Sequence, residues 1–175
     1  MKIRFDEEYI KRYNKISKTL KCSKCRISPY ISYDEENKSI TTHFINEDAT
    51  ILFEEETCYG FKVLENDEAI FNLEAELYED EILEIETTPD KVSYKFGKGA
   101  TYSKRREVNH YFTCQELKEN KMTITNIVFN PKLLEAVCKL FKEKFHIENN
   151  ITRLYLYSGF EDFKQRAVIL GCKGV

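Results

Sequence analysis

The sequence contains no tryptophan, no long apolar run, and only 3 prolines and 6 glycines in 175 residues. Its apolar runs fall short of the about 18 residues that a membrane-spanning helix needs, so no such helix is expected. The opening MKIRFDEEYI turns acidic at once and lacks the apolar core of a signal peptide, which predicts a cytoplasmic protein. No Pro/Gly/Ser-rich linker interrupts the chain, and we therefore expect one compact unit over 1–175.

Familiar motifs of catalysis and metal binding are also missing. The chain has no HExxH, no Ser/Cys–His–Asp order and no glycine-rich phosphate loop, since Gly97-Lys98-Gly99 is too short to cradle a phosphate. Cys22 and Cys25 have the spacing of a zinc knuckle, but no second Cys or His pair completes four ligands. We expect no catalytic residue, no metal site and no cofactor, and hence a protein that is not an enzyme.

Charge, in contrast, is plentiful and unevenly distributed. The net charge is −3, but its parts differ. Residues 1–30 carry nine basic and three acidic side chains, and residues 31–90 carry two basic and nineteen acidic ones. Residues 91–175 carry sixteen basic and eight acidic side chains. Such segregation produces strong local fields and favours charged partners. The alternative is that the three segments interleave in space and neutralise one another.

Two segments have the pattern of capped amphipathic helices. Asp6 is placed to cap a helix whose first turn carries Glu7 and Glu8 and whose apolar residues recur with helical spacing. In FNPKLLEAVCKLF, residues 129–141, Asn130 is a good N-cap and Pro131 suits the first helical position. The apolar stripe of this segment comprises Leu133, Leu134, Val137, Leu140 and Phe141.

The rest of the chain is typical of strands and turns. MKIRF predicts a strand, YISYDEENKSITTHF a hairpin with a polar turn at 34–38, and ATILFEEE a third strand. GFKVLENDEAIFNLEAELYEDE predicts a short strand, a cap near Asn66 or Asp67, and a helix through Leu77. Further strands are expected around turns at 88–90, 97–99 and 159–162.

A unit of strand, helix and several strands thus occurs about three times, at approximately 1–58, 59–110 and 111–175. Because no linker separates the units, we expect them to share continuous sheets. The pattern predicts an α+β fold in which helices cover one face of curved antiparallel sheets.

Two stretches resemble the repeat of the DNA sliding clamps, in particular the bacterial polymerase III β subunit. VFNPKLLEAVCKLF…ITRLYLY…RAVIL is similar to the last half-domain of a bacterial clamp, and ISPYISYDEENKSITTHFINEDATILFEEE is similar to an early clamp stretch. The resemblance covers about half of the chain and implies a non-catalytic, protein-binding scaffold of DNA metabolism. A bacterial clamp subunit has six half-domain units where this chain has about three. Its ending LGCKGV lacks the family's usual C-terminal residues, so peptide binding by that tail is not carried over.

Clamps line their inner wall with helices whose basic faces meet phosphates without reading sequence. The resemblance implies this role for the lysine-bearing sides of the two capped helices. The nucleic-acid-facing candidates are Lys11, Arg12, Lys15, Lys18, Lys132, Lys139 and Lys142. The alternative is that these side chains form solvated helix faces and nothing more.

A second candidate surface, for a protein partner, combines a basic hairpin with an acidic tract. Its residues are Lys98, Lys104, Arg105, Arg106, Glu74, Glu76, Glu79, Asp80 and Glu81. The expected partner is a bacterial polymerase, helicase or defence nuclease, with weak nonspecific DNA binding and homo-oligomerisation as further expectations and no membrane association. An alternative function is a phage or mobile-element inhibitor of the anti-CRISPR or anti-restriction type, which blocks a defence enzyme through its charged surface.

Overall fold

The computed structural model describes residues 1–21, 27–46, 51–65, 71–72, 83–97, 99–104, 113–119, 127–150, 153–160 and 162–173. In this part of the chain the strands pair only in antiparallel fashion. The helices of the described residues are α1 Glu7–Lys21, α2 Cys114–Glu119 and α3 Pro131–Cys138. None of these helices has the length and apolar character that crossing a bilayer requires.

Two main sheets support the helices. The five-stranded sheet has the order β5-β1-β7-β8-β9, formed by β1 Lys2–Phe5, β5 Phe61–Glu65, β7 Leu83–Thr87, β8 Lys91–Phe96 and β9 Gly99–Lys104. The seven-stranded sheet has the order β11-β12-β13-β4-β3-β2-β6, formed by β2 Ile27–Asp34, β3 Ser39–Asn46, β4 Ile51–Thr57, β6 Phe71–Asn72, β11 His146–Asn150, β12 Arg153–Phe160 and β13 Phe163–Leu170. A short ladder joins β10 Ile127–Val128 to β14 Cys172–Lys173.

Helix α1 forms where the sequence places a cap and an apolar face. The Asp6 Oδ1 accepts a hydrogen bond from the Tyr9 backbone N–H at 2.9 Å, which confirms the predicted cap. Gly60 has a φ of 82°, and its carbonyl accepts the Asp6 N–H; a Cβ at Gly60 would lie 3.2 Å from the Tyr9 Cβ. The buried residues of the helix are Tyr9, Ile10, Tyr13, Asn14, Ile16 and Leu20.

Helix α3 also begins as the sequence predicts. The Asn130 side chain accepts a hydrogen bond from the Lys132 N–H at 3.1 Å, and Pro131 occupies the first turn. The helix ends at Cys138, so the last part of the predicted stripe lies in the turn that follows. Within the stripe, Leu133, Val137 and Leu140 are buried, whereas Leu134 and Phe141 are half-buried.

One hydrophobic core lies between α1, α3 and the two sheets. The side chains of β4 show how the layers are divided: Ile51 and Phe53 enter this core, whereas Leu52 faces the other side and packs with Cys114 of α2. Because successive side chains of a strand point to opposite faces, Glu54 lies on the α2 side and Glu55 on the α1 side. The charged residues of β4 therefore belong to two different environments.

One predicted helix is wrong where the structure describes it. Phe71 and Asn72 form β6 and pair with Ile31 and Tyr30 of β2, although the sequence predicts a helix through Leu77. The edge of β2 offers unpaired N–H and C=O groups, and pairing with them overrides the local helical preference. The other residues of this predicted helix, with the cap at Asn66 or Asp67, lie outside the described residues.

Candidate nucleic-acid interface

Three lysines of α1 lie on the side of the helix that points away from the core. Lys11, Lys15 and Lys18 are exposed and follow one another at four- and three-residue spacing, opposite the buried Tyr13 and Ile16. Lys11 also pairs with a glutamate one turn earlier, and such exposed pairs contribute little to stability. The three ammonium groups form a row of positive charge along the helix.

Helix α3 and the turn after it add a second set of exposed lysines. Lys132 and Lys139 lie on the solvent side of the helix, and the Lys139 Nζ is 2.6 Å from Glu135 Oε1. Lys142 follows the helix, and its Nζ lies 4.4 Å from the ring centroid of Phe163. Because α1 and α3 pack against each other and over the same core, the two lysine sets lie on neighbouring helices.

Arg12 differs from the other candidates because its guanidinium turns into the protein. Its Nη2 and Nε lie 2.6 and 2.8 Å from Glu55 Oε2, and its Nη2 also donates to the Leu140 carbonyl. The Arg12 and Glu55 side chains are only 11% and 8% exposed. The structure places Arg12 as a link between α1, β4 and the end of α3, apart from the exposed lysines.

A buried glutamine completes this link. Gln165 of β13 donates from Nε2 to Glu55 Oε2 at 2.8 Å and to the Leu140 carbonyl at 3.0 Å, while its Oε1 accepts the Lys142 N–H at 2.8 Å. The amide therefore satisfies three polar groups that the core would otherwise bury without partners. It also fixes the turn that carries Lys142.

A cleft beside this network encloses about 260 Å³ of space that is open to solvent. Tyr59 and Phe163 line it with rings that stack at a centroid distance of 6.0 Å. Deeper in, the Tyr9 hydroxyl lies 2.5 Å from Thr42 Oγ1, and burial raises the pKa of Tyr9 far above its usual range. The tyrosine therefore stays neutral and links α1 to β3 through its hydrogen bond to Thr42.

Paired charges also lie on the opposite face of the seven-stranded sheet. The Glu56 carboxylate is 2.8 Å from Lys164 Nζ and 3.0 Å from Arg166 Nη2. Burial acts to raise the pKa of Glu56, but the hydrogen bond from Lys164 and the charge of Arg166 outweigh it and hold this pKa below its ordinary value. The pairs join β4 to β13, whose residues are more than a hundred positions apart.

The low pKa of Glu56 makes part of the stability depend on pH. A carboxyl group whose pKa is lower in the folded state stabilises the fold above its unfolded pKa, and this contribution is lost as the pH falls through the folded value. We expect Glu56→Gln to reduce the change in unfolding free energy between neutral pH and pH about 3. Urea unfolding of the wild type and of Glu56→Gln, at several pH values between neutral and about 3, measures this difference in unfolding free energy. An equally steep acid loss in the variant would show that Glu56 is not a source of the pH dependence.

Three further side chains, from three adjacent strands, form a hydrogen-bonded row on the same face as Glu56. The Ser32 Oγ lies 3.0 Å from His43 Nε2, and the His43 Nδ1 lies 3.1 Å from Glu54 Oε1. Glu54 Oε1 also accepts the Cys114 N–H at the start of α2, at 2.7 Å. Burial, reinforced by the nearby Glu54, raises the pKa of the Cys114 thiol, which therefore stays protonated.

The row is not visible as a motif, because its three residues do not follow the Ser/Cys–His–Asp order that the sequence analysis considered. The available signal was the predicted hairpin: its turn at 34–38 sets Ser32 opposite Thr41, so His43 is the next residue of β3 on that face. The register of β3 with β4 then pairs His43 with Glu54. Strand register, and not sequence spacing, brings the three together.

The proposed partner-binding surface lies almost wholly outside the described residues. This holds for Lys98, Arg105, Arg106, Glu74, Glu76, Glu79, Asp80 and Glu81, whereas Lys104 is the last residue of β9. The predicted role of this surface therefore stays a prediction. Among the residues that the structure does describe, no group of three or more His, Cys, Asp or Glu side chains is arranged to hold a metal ion.

The architecture of the chain is that of the DNA sliding clamps. It matches A. fulgidus PCNA, in a structure with the C-terminal region of FEN-1 bound, over 99% of each chain, with a TM-score of 0.60 and 9% identity. A comparable match is found with the PCNA2-PCNA3 complex of Sulfolobus tokodaii, over 98% of this chain and 99% of that one, with a TM-score of 0.58 and 9% identity. The likeness confirms the predicted α+β clamp fold.

The chain is also similar in structure to part of a bacterial clamp. The DNA polymerase III subunit beta sliding clamp of Bartonella birtlesii matches all of this chain with a TM-score of 0.63 and 10% identity, and the chain covers 66% of it. No protein-family model matches the sequence, and no curated protein matches it. At these identities the comparison defines the fold, and the activity has to be argued from the side chains.

Proposed function

We propose that the protein is a non-catalytic, protein-binding accessory of DNA metabolism, built on a clamp scaffold that meets duplex DNA through its helix lysines. The observation that carries the proposal is the row formed by Lys11, Lys15 and Lys18 beside the exposed lysines of the neighbouring α3. Lysine ammonium groups on flexible stems bind phosphates as point charges and do not read bases. Arg12 is left out of the DNA-facing set because its guanidinium is paired with Glu55.

The protein-binding part of the proposal is supported by the sheet edges and by the clamps that share the fold. Within the described residues, β9 and β11 stand at edges of their sheets, and Tyr102 and Ile147 on them are 76% and 55% exposed. Strand edges carry unpaired N–H and C=O groups that can pair with another chain. One similar clamp is bound to FEN-1 and another forms a two-protein complex, so we propose a polymerase or helicase as partner and association between copies.

The DNA contact predicts weak, sequence-independent and salt-sensitive binding. Fluorescence anisotropy with short duplexes of two unrelated sequences should give the same affinity at low salt. Each phosphate contact contributes about 0.9 to the slope of log affinity against log salt. The triple change of Lys11, Lys15 and Lys18 to Glu should therefore abolish measurable binding.

A matched triple change tests whether position or total charge matters. Lys62, Lys91 and Lys38 are exposed but lie outside α1 and α3, and their change to Glu alters the net charge by the same amount. Duplex binding by this control should weaken only slightly. If both triple variants lose binding equally, or if the wild-type protein fails to bind at low salt, the lysine row is not a DNA interface.

The partner proposal is tested by affinity capture from a bacterial lysate, with light scattering to determine the oligomeric state. Recovery of a polymerase or helicase would support it. Recovery of a defence nuclease instead would favour the inhibitor function. A strictly monomeric protein would contradict the proposed association between copies.

A further inference from the structure

The cleft bordered by α1, the end of β4 and the turn after α3 presents an aromatic ring to solvent. Tyr59 is 43% exposed, and its ring stacks on that of Phe163 at a centroid distance of 6.0 Å, with the two planes 26° apart. Every residue that lines the cleft belongs to the described part of the chain. An exposed tyrosine ring backed by a second ring offers a flat surface on which another planar group can stack.

The backbone around Tyr59 is held from two sides. Thr57 Oγ1 accepts the Tyr59 N–H at 3.2 Å and donates to the Tyr59 carbonyl at 3.2 Å. The neighbouring Cys58 N–H donates to the Asp162 carbonyl at 3.1 Å, which ties this turn to the start of β13. The tyrosine therefore has little backbone freedom to lose when a ligand stacks on its ring, and this lowers the entropic cost of binding.

A cation stands next to the two rings. Lys142 is exposed, and its Nζ lies 4.4 Å from the ring centroid of Phe163 and 5.9 Å from that of Tyr59. This lysine also belongs to the exposed set beside the lysine row of α1. Its flexible stem lets the ammonium group meet a phosphate that is joined, through a sugar, to a group stacked on Tyr59. Ring and ammonium together match the two parts of a nucleotide, a planar base and an anionic phosphate.

Two carboxylates line the same cleft. That of Glu55 is paired with the Arg12 guanidinium, so their charges cancel. That of Glu8 is exposed in the first turn of α1 and repels an anion on its side of the cleft. Burial, with the charges of Glu55 and Glu8, raises the pKa of Tyr59, so the phenol stays neutral. A phosphate is therefore expected on the Lys142 side, with the base against the tyrosine.

The size of the cleft and the need for an open base face define the ligand. Its volume of about 260 Å³ is below the about 300–1,000 Å³ of pockets that enclose a drug-sized ligand, which suits a single ring system. In a duplex the neighbouring bases cover both faces of each base, so only an unpaired base can stack on a side chain.

We propose that the cleft takes an unpaired base of single-stranded DNA, with Tyr59 as the stacking platform and Lys142 as the contact to an adjacent phosphate. The inference rests on the proposed function, because α1 and the turn after α3 carry both the DNA-facing lysines and the walls of the cleft. It adds a preference for unpaired strands, which the lysine row alone does not explain.

Anisotropy with a labelled oligothymidylate of about 16 nucleotides measures the single-strand affinity. Tyr59→Leu should weaken binding by about 5- to 150-fold, the range that follows from the loss of one base–aromatic stack. Tyr59→Phe keeps the ring and should keep most of the affinity. Tyr157→Leu is the matched control, since it removes a half-buried ring that stacks on His146 on the α2 side of the sheet. Equal affinities of Tyr59→Leu and Tyr157→Leu would overturn the inference.

Lys142→Gln tests the phosphate contact. Each phosphate contact on a single strand contributes about 0.7 to the slope of log affinity against log salt, so this slope should fall by about 0.7 in the variant. Lys144→Gln removes the same charge from an exposed position two residues further along and should leave the slope unchanged. The same slope in both variants would remove Lys142 from the assigned role.

The absence of tryptophan from the sequence provides a direct reporter. Tyr59→Trp introduces the only indole of the chain, and a base stacked on it should quench its fluorescence. Oligothymidylate should therefore quench the indole, whereas an abasic strand with the same phosphates should not, even when bound. Equal quenching by both strands would contradict stacking. A change of emission with a short phenylalanine-containing peptide, and none with oligothymidylate, would assign the cleft to a protein side chain and also overturn the inference.

Duplex binding separates this inference from the proposed function. Tyr59→Leu should leave the duplex affinity unchanged, because the lysine row meets phosphates without stacking, and circular dichroism checks that the variant is folded. Duplex binding by a wild type whose single-strand affinity is insensitive to Tyr59→Leu would refute the cleft alone. Absence of binding to either form would refute the lysine interface as well. If Tyr59→Leu fails to fold, the quenching in Tyr59→Trp decides the matter.

Discussion

Replacing Arg12 by methionine is expected to destabilise the folded protein by about 3–5 kcal/mol, because it leaves the Glu55 carboxylate buried without its counter-charge. Glu55 is 8% exposed and receives hydrogen bonds from both Nε and Nη2 of Arg12. Gln165 still donates to it in the variant but supplies no charge. The Leu140 carbonyl also loses one of its donors. Urea unfolding at neutral pH, compared with the wild type, measures the loss.

Lys15→Met is the matched control, since it removes a cation from an exposed position of the same helix. It should change the unfolding free energy by no more than about 0.5 kcal/mol. Adding Glu55→Gln to Arg12→Met should restore part of the stability, because an uncharged amide is less costly to bury than a lone carboxylate. Equal effects of Arg12→Met and Lys15→Met would show that the pair is solvated and that Arg12 belongs with the surface lysines.

The parts of the fold that the sequence predicts well are those with a local cause. Asp6 and Asn130 cap helices through bonds to residues two or three positions away, so their roles follow from the nearby sequence. The hairpin turn at 34–38 is likewise held by Asp34, whose carboxylate accepts the Glu36 and Asn37 N–H groups. Each of these interactions is complete within a few residues. Such features depend little on the rest of the chain.

Arg12 shows why the environment of a side chain is harder to predict than a helix cap. On a helical projection it lies at the border between the buried face and the lysine row. A side chain at this position can turn either into the protein or into solvent. Its partner Glu55 is 43 positions away, and Leu140 is 128 positions away. The pairing of β13 with β4 sets Gln165 opposite Glu55, and hydrogen bonds of Gln165 hold the turn after α3 beside them. No local pattern contains that information.

The charged side chains of β4 are divided between the two faces of the sheet. Glu55 neutralises Arg12 on the core side, while Glu54 and Glu56 face His43, Lys164 and Arg166 on the other side. The acidic segment 31–90 and the basic C-terminal part of the chain therefore interleave here, as the alternative reading of the charge pattern expected. The lysines of α1 and of the α3 segment, in contrast, are exposed at the surface.

The Leu140→Ala change is expected to cost about 2–5 kcal/mol, because it removes a fully buried side chain and leaves a cavity in the core. Leu140 lies two residues beyond the end of α3, so helix propensity contributes little to the change. Its backbone carbonyl is retained, and with it the hydrogen bonds from Arg12 and Gln165. The loss measured by urea unfolding therefore reports the packing of the leucine side chain alone.

Lys139→Ala, at the adjacent position, separates the core side of this segment from its surface. The Lys139 side chain is 68% exposed and forms an ion pair with Glu135, an exposed residue one turn earlier. Its removal should therefore change stability by no more than about 0.5 kcal/mol. If Lys139→Ala unfolded the protein while Leu140→Ala did not, the lysine side of α3 would be the packed one. The lysines of this helix could then not face a phosphate backbone, and the DNA contact proposed for α3 would fail with that result.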